Sequence, residues 1–245
     1  MRLAAVFLGS LARRRLATLF SLIAIILGVA LGMAVQAVHE AALAEFGRGL
    51  SSLAGDADFQ VAGPRGGFDE SLYSILAGRP EVAEASPIVE LEVRPAGRDE
   101  ALQLLGVDVF ALARVTPALL PRPGEGAGRL AFLADDRIFL SRAAQSALAL
   151  GPGDDIDLQT GTRSTTLTIA GDIPGAADNS RLAVMDIAAV QSRFARTGRL
   201  TRIDLKLAPG VAPAAARTAL QAILPAGVLI EAPAAAAGQA ANLSR

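Results

Sequence analysis

Hydrophobic and polar positions divide this chain into two unlike textures. From Leu16 to Val38 the run LATLFSLIAIILGVALGMAVQAV carries only Thr18, Ser21 and Gln36 as polar interruptions and no ionisable side chain. As an α-helix rising 1.5 Å per residue it spans roughly 33 Å, enough for a bilayer core. A secretory signal peptide shares the basic start and the apolar run, and Ala34 to Ala37 would pass as its cleavage site, but its apolar part is usually only about 7–15 residues. The pattern predicts a retained transmembrane helix over 16–38. After it, Val38, Ala42, Phe46, Leu50 and Leu53 recur at near-helical spacing, which predicts a helical stalk over 39–55 that Gly47 and Gly49 weaken. Before it, Leu3, Val6, Phe7 and Leu11 form one stripe between Arg2 and the Arg13–Arg15 cluster. That stripe suits either a short helix lying on an anionic leaflet or a plain topogenic tail.

From about Asp56 to Glu231 the texture is that of an α+β domain, with short alternating or apolar runs between turn signals. Strands are predicted at Ala57–Gly63, Pro87–Arg94, Ala101–Val107, Arg137–Leu140, Asp155–Thr160, Ser164–Ile169, Leu182–Met185, Arg202–Leu207 and Val228–Glu231. Pro87–Arg94 alternates as a half-buried strand should, with Ala101–Val107 as its hairpin partner. Gly161-Thr162-Arg163 marks a second hairpin. Helices are predicted from an Asp69 cap to Leu76, weakly over Val109–Leu120, over Ser141–Leu150 with Ser141 as N-cap, from an Asp186 cap to about Arg196, and over Ala212–Leu224. The apolar set of this domain includes Phe59, Leu72, Ile88, Leu104, Ile138, Leu167 and Ile203. No stretch after Val38 approaches 18 uncharged apolar residues, so a single crossing is expected.

Charge fixes an orientation. Residues 1–15 hold Arg2, Arg13, Arg14 and Arg15 and no acid, so Arg13, Arg14 and Arg15 are the topology-setting residues. The positive-inside rule puts them in the cytoplasm and the chain after Val38 outside it. Over the whole chain 23 Lys plus Arg stand against 24 Asp plus Glu, which leaves no field to attract nucleic acid.

Composition excludes much chemistry. There is no cysteine and one histidine, so thiolate catalysis, disulfides, iron–sulfur clusters and Cys- or His-rich zinc sites are out. The only lysine, Lys206, follows Leu205 rather than a glycine, so no Walker A loop exists. Gly151-Pro-Gly153-Asp154 precedes a strand and lacks the dinucleotide spacing. No Gly-x-Ser-x-Gly elbow is present, and His39 falls at the outer end of the apolar run. The acids Asp135, Asp136, Asp154, Asp155 and Asp157 lack the spacing of a calcium loop and are expected to cap turns. No catalytic, cofactor or metal residue is predicted. A single-pass anchored enzyme is thereby disfavoured.

Several segments together carry a resemblance. The opening LARRRLATLFSLIAIILGVALGMAVQAV resembles the start of the FtsX-like and MacB-like ABC transporter permeases, where an Arg-rich entry precedes a first helix rich in "LGVAL". Phe68-Asp-Glu-Ser-Leu72, Val82-Ala-Glu-Ala-Ser-Pro87 and Leu104-Leu-Gly-Val-Asp108 are similar to that family's successive motifs. So are Ile138-Phe-Leu-Ser141 through Leu150-Gly-Pro-Gly-Asp154, one residue shorter than the usual spacing, Leu167-Thr-Ile-Ala-Gly171 and Ile203-Asp-Leu-Lys-Leu207. The resemblance implies a MacB-like periplasmic core domain over 56–231, mixed α/β, made of a porter part and an inserted sabre part at about 109–181, with an Ala-rich tail at 232–245. It implies a non-catalytic permease component in the bacterial inner membrane, N-terminus cytoplasmic, working with a cytoplasmic ATP-binding subunit and a second permease subunit in a homo- or heterodimer. Export or extraction of a hydrophobic or lipid-type substrate by mechanotransmission is the expected activity; the alternative is a single-pass adaptor or envelope regulator without transport. The family usually carries further membrane helices after this domain, so the 245 residues are expected to be either a fragment or a reduced member.

Overall fold

The computed structural model describes residues 19–20, 23–36, 57–64, 66–98, 100–161 and 163–232. Arg13–Arg15, the amphipathic stripe, the stalk at 39–55, His39 and the tail from 233 onward lie outside the described residues. The chain divides into two compact units, 1–47 and 48–245. In the first, residues 19–20 and 23–36 are helical, and side chains such as Phe20, Leu27 and Leu31 are exposed. Among the described residues no helix is long and apolar enough to cross a membrane.

The second unit is a mixed α/β domain. Its strands are β1 (Phe59–Ala62), β2 (Phe68–Asp69), β3 (Val82–Pro95), β4 (Leu102–Val107), β5 (Arg122–Pro123), β6 (Arg137–Leu140), β7 (Asp155–Thr160), β8 (Arg163–Asp172), β9 (Leu182–Asp186), β10 (Arg199–Leu200), β11 (Arg202–Leu207) and β12 (Leu229–Glu231). Its α-helices are α1 (Ser71–Ala77), α2 (Val109–Val115), α3 (Arg142–Leu148), α4 (Ile187–Arg193) and α5 (Pro213–Gln221). One sheet runs β12-β1-β11-β3-β4-β9-β6-β8-β5, and β7 bridges β8 back to β3. β3, β4, β9, β6, β8 and β7 therefore form a closed ring of strands, to which β11, β1 and β12 are attached as a flap. Most pairs are antiparallel; β4 with β9 and β6 with β8 are parallel.

Local chemistry sets the helix starts. Asp108 Oδ1 accepts from the Phe110 and Ala111 amides, and Asp186 Oδ1 from those of Ala188 and Ala189. Ser141 Oγ accepts from the Ala144 and Leu182 amides at 3.2 and 3.1 Å and donates to the Ser180 carbonyl, so one cap also ties α3 to the start of β9. Asp69 accepts from the Ser71 amide but belongs to β2, and Glu70 occupies the N-cap position of α1. α4 stops at Arg193, three residues short of the expected end, and Arg163 belongs to β8 rather than to the turn.

The sheet is covered on both faces. On one, Leu104, Val89, Val93, Ile138 and Ile203 pack with Leu76 of α1, Val190 of α4 and Leu220 of α5. On the other, Ile88, Leu105, Val107, Phe139 and Val184 pack with Leu112 of α2 and with Leu119. Double coverage explains why β3 is buried without a break from Ala85 to Val89, although the strand expected from Pro87 onward was a half-buried one. Pro87 is tolerated inside β3 because odd-numbered residues turn their amides toward β4, whose pairing begins only at Ile88. Gly106 makes the α4 contact close: a Cβ there would lie 2.8 Å from Val190 Cβ. All seven apolar residues singled out from the sequence are buried.

Candidate functional site

The longest strand, β3, changes neighbours along one edge. β11 accompanies it from Val82 to Ile88, and β7 takes up the same edge at Arg94 and Pro95. Between them that edge has no strand beside it among the described residues. An open cleft of about 800 Å³ occupies the gap. Its walls come from the middle of β3 (Glu90, Leu91, Glu92), the start of β4 (Gln103), the end of β7 (Thr160), the start of β11 (Thr201, Arg202), the turn after β1 (Gly63, Pro64), and Arg181 and Arg196.

Glu90 shows which way the backbone points. Its amide donates to Thr201 Oγ1 at 2.7 Å, while the Thr201 amide donates to the Ile88 carbonyl. Antiparallel pairing alternates, so if the Glu90 amide turns away from β4, the Glu92 amide does too, into the cleft.

Behind the cleft a charged cluster crosses the sheet. Arg202 contacts Glu90 at 3.3 Å on one side and Asp204 at 3.0 Å on the other. The Gln103 amide donates to Glu90 Oε1. Asp204 is fully buried, opposite Gln60 of β1 and Ser86 of β3. Burial pushes the Asp204 carboxyl up to about 6, against the opposing pull of Arg202. Burial alone would lower the Arg202 guanidinium, but the carboxylates of Asp204 and Glu90 outweigh it and hold its pKa up. Ser86 Oγ is buried without a hydrogen-bond partner among the described residues, and Asp204 Oδ1 has only the ionic contact to Arg202 Nε. Nearer the surface, Glu92 pairs with Arg94 at 3.3 Å, and both are exposed. Arg181 and Arg196 have no carboxylate partner among the described residues. Ala195, with φ at 54°, turns the chain out of α4 just before Arg196.

This cluster was not among the residues singled out from the sequence as functional. Its signal was present: Arg202 and Asp204 share a face of a strand, and Glu90 and Glu92 share a face of another. Which strands are neighbours is what the sequence withholds. The acids at 135–157 stay apart from any metal arrangement: Asp135 pairs with Arg193, Asp154 accepts from the Gly151 amide, and Asp155 and Asp157 accept from Thr168 and Thr166. Among the described residues no group of three or more potential metal ligands exists. The arrangement offers charge, hydrogen bonds and an open strand edge.

A strand ring with an attached flap, covered by helices and indented by a polar cleft, defines a mixed α/β domain. A family model described as the MacB-like periplasmic core domain matches residues 18–223, and the chain belongs to that family, whose members are ABC transporter permeases. It is 28% identical over 222 residues to an uncharacterized ABC transporter permease protein of Mycobacterium tuberculosis, a match covering 86% of this chain. It spans a quarter of that relative's length. In fold it is similar to the periplasmic region of MacB from Actinobacillus actinomycetemcomitans, with a TM-score of 0.54 and 13% identity over 80% of this chain and 95% of that one. It is also similar to the extracellular domain of the noncanonic ABC-type transporter YknZ from Gram-positive bacteria, with a TM-score of 0.51 and 11% identity over 71% and 99% of the two chains.

Proposed function

We propose that this chain is the extracytoplasmic core of an ABC transporter permease, held on a first membrane helix at 16–38 and driven by a separate cytoplasmic ATP-binding subunit. The observation that carries the reading is the extent of the family match, which begins at residue 18, within the apolar run, and continues through the domain. The exposed apolar side chains of 23–36 support it, since such a surface needs cover that lipid or neighbouring helices supply. Arg13, Arg14 and Arg15 set the orientation, N-terminus cytoplasmic and domain outside, in the inner membrane. Residues 39–55 carry motion from the membrane to the domain. Within the domain 109–181 is the inserted sabre-type part, and the rest, with the β11–β1–β12 flap, is the porter part.

In this reading the chain catalyses nothing and works mechanically. ATP binding in the partner biases two arrangements of a permease dimer, and the outer domains follow, moving a hydrophobic or lipid-type substrate. The native absence of cysteine makes the topology directly testable. A single cysteine at Ser164, exposed in β8, should react with a membrane-impermeant maleimide in osmotically permeabilised cells with intact inner membranes, and one at Ala12 should react only after lysis. The reverse pattern would overturn the orientation and, with it, the periplasmic assignment.

A further inference from the structure

We propose that the open edge of β3 is a binding site for an extended acidic peptide segment of a partner protein, which adds a short strand between β11 and β7. Three observations converge on it. First, β3 continues in extended geometry through the gap although no strand accompanies that edge from Val89 to Val93 among the described residues. Within the gap the Glu92 amide faces a cleft large enough for a peptide of a few residues, and an open backbone edge is a template for strand addition. Second, the ends of the gap are framed to receive a strand in register: Thr201 side chain and backbone already satisfy Glu90 and Ile88 at one end, and Gln159 and Leu158 of β7 resume the ladder at the other. A guest strand would restore the continuity that β11 and β7 leave broken.

Third, the charge at the rim is unbalanced. Glu90 is paired with Arg202 and hydrogen-bonded by Gln103, and Glu92 is paired with Arg94, while Arg181 and Arg196 line the same cleft with no carboxylate partner among the described residues. Two unpaired guanidiniums beside an open backbone edge suit a segment that presents carboxylates along an extended chain, each able to take a bidentate pair. The buried Arg202–Asp204 pair is spent within the sheet and is not part of the recognition. The site rests on the domain's own geometry, so its test is separate from that of topology or energy coupling.

The probe is a fluorescein-labelled peptide, Ser-Val-Glu-Val-Glu-Ser, titrated with the detergent-solubilised 245-residue chain and followed by fluorescence polarisation. Counterparts replace both Glu with Gln or with Lys, or carry N-methyl groups on alternate amides. The acidic peptide should bind saturably. The Gln peptide and the Arg181→Ala/Arg196→Ala double variant should each weaken it about tenfold or more, and N-methylation and the Lys peptide should abolish it. Neither arginine has a carboxylate partner among the described residues, so the double variant should retain the melting temperature of the parent; if it does not, the Gln and Lys peptides on the parent chain decide the charge question. Hydrogen exchange should show the Glu92 amide slowed about tenfold or more when peptide is bound. No saturable binding up to about 1 mM, unchanged binding by the N-methylated peptide, or binding without protection of Glu92 would each overturn the proposal. Protection of Glu92 that rises with protein concentration in the absence of peptide would assign the edge to a second copy of this chain and overturn it equally.

Discussion

The two halves of β3 face different conditions. From Val82 to Ile88 the strand has β11 on one edge, β4 takes up the other at Ile88, and helices cover both faces; Ala85 through Val89 are all buried. From Val89 to Val93 it keeps β4 but has no strand on the other edge among the described residues, and it returns to an alternation in which Glu92 and then Arg94 are exposed. A single strand thus serves as scaffold in its first half and as rim in its second. Charged side chains occur in both halves of the surrounding sheet, but their worth differs with their surroundings. Arg202 and Asp204 form a pair removed from water, where breaking one partner strands the other. Glu92 and Arg94 form a pair in solvent, where almost nothing depends on it.

The largest test of this contrast compares Arg202→Leu with Arg94→Leu. Arg202→Leu leaves Asp204 buried with Ser86 and Gln60 as polar neighbours and no cation, and should cost about 3–5 kcal/mol. Arg94→Leu should stay within about 0.5 kcal/mol. Urea unfolding of both variants measures the difference, and similar losses would erase the distinction between the halves.

Titration sharpens the same contrast. The Asp204 carboxyl is raised to about 6 by burial, from 3.8, so the folded domain binds a proton there that the unfolded chain has already released. The contribution is fully present below the unfolded value and is lost as pH rises through about 6, so this group stabilises the domain more at pH 5 than at pH 7.5, by on the order of 1–1.5 kcal/mol. The groups facing it are Arg202, Gln60 and Ser86, with Glu90 on the far side of Arg202. Melting curves at the two pH values should show the trend in the parent, and Asp204→Asn should flatten it. An unchanged slope in that variant would place the titration elsewhere.

A further test concerns packing on β4 rather than charge. Gly106→Ala would drive a Cβ against Val190, and overpacking of this kind should cost about 1–3 kcal/mol, less if α4 can move outward. Ala at this position with stability unchanged in urea would show that the helix yields while the strands do not.

Much of the fold was readable because its punctuation is local. Asp108, Ser141 and Asp186 announce helices by side-chain chemistry that acts over three residues. The hairpins at β3–β4 and β7–β8 follow from period-two patterning on either side of a short turn. The family motifs also have physical content: the glycine of Leu104-Leu-Gly-Val-Asp108 admits Val190, and Gly171, ending Leu167-Thr-Ile-Ala-Gly171, admits the Arg122 carbonyl, which a Cβ would meet at 2.0 Å. What was hidden depends on distant partners. The opening of β3, Val82–Ser86, was missed because Pro87 reads as a strand start until one knows that it faces an edge β4 does not reach. The two-residue strands β2, β5 and β10 exist only through their partners. The cleft escaped for the same reason, since Glu90, Arg181, Arg196 and Arg202 come together only when β11 lies against β3 and β7 closes the ring.

The placement of β1 governs the order in which this domain can be completed. Both strands that pair with β1 come from the far end of the domain: Phe59 meets Leu205 on β11, and Val61 meets Ile230 on β12. β1 is therefore made early and completed last. Until β11 and β12 have emerged it exposes Phe59 and Val61, which are buried in the finished domain, together with two unpaired edges. Pairings so distant in sequence form slowly, because the whole intervening chain must be closed into a loop first. For a chain delivered segment by segment, that interval is a period of vulnerability to aggregation and proteolysis, and the ring between β3 and β9, built from nearer partners, is the unit able to fold during the wait.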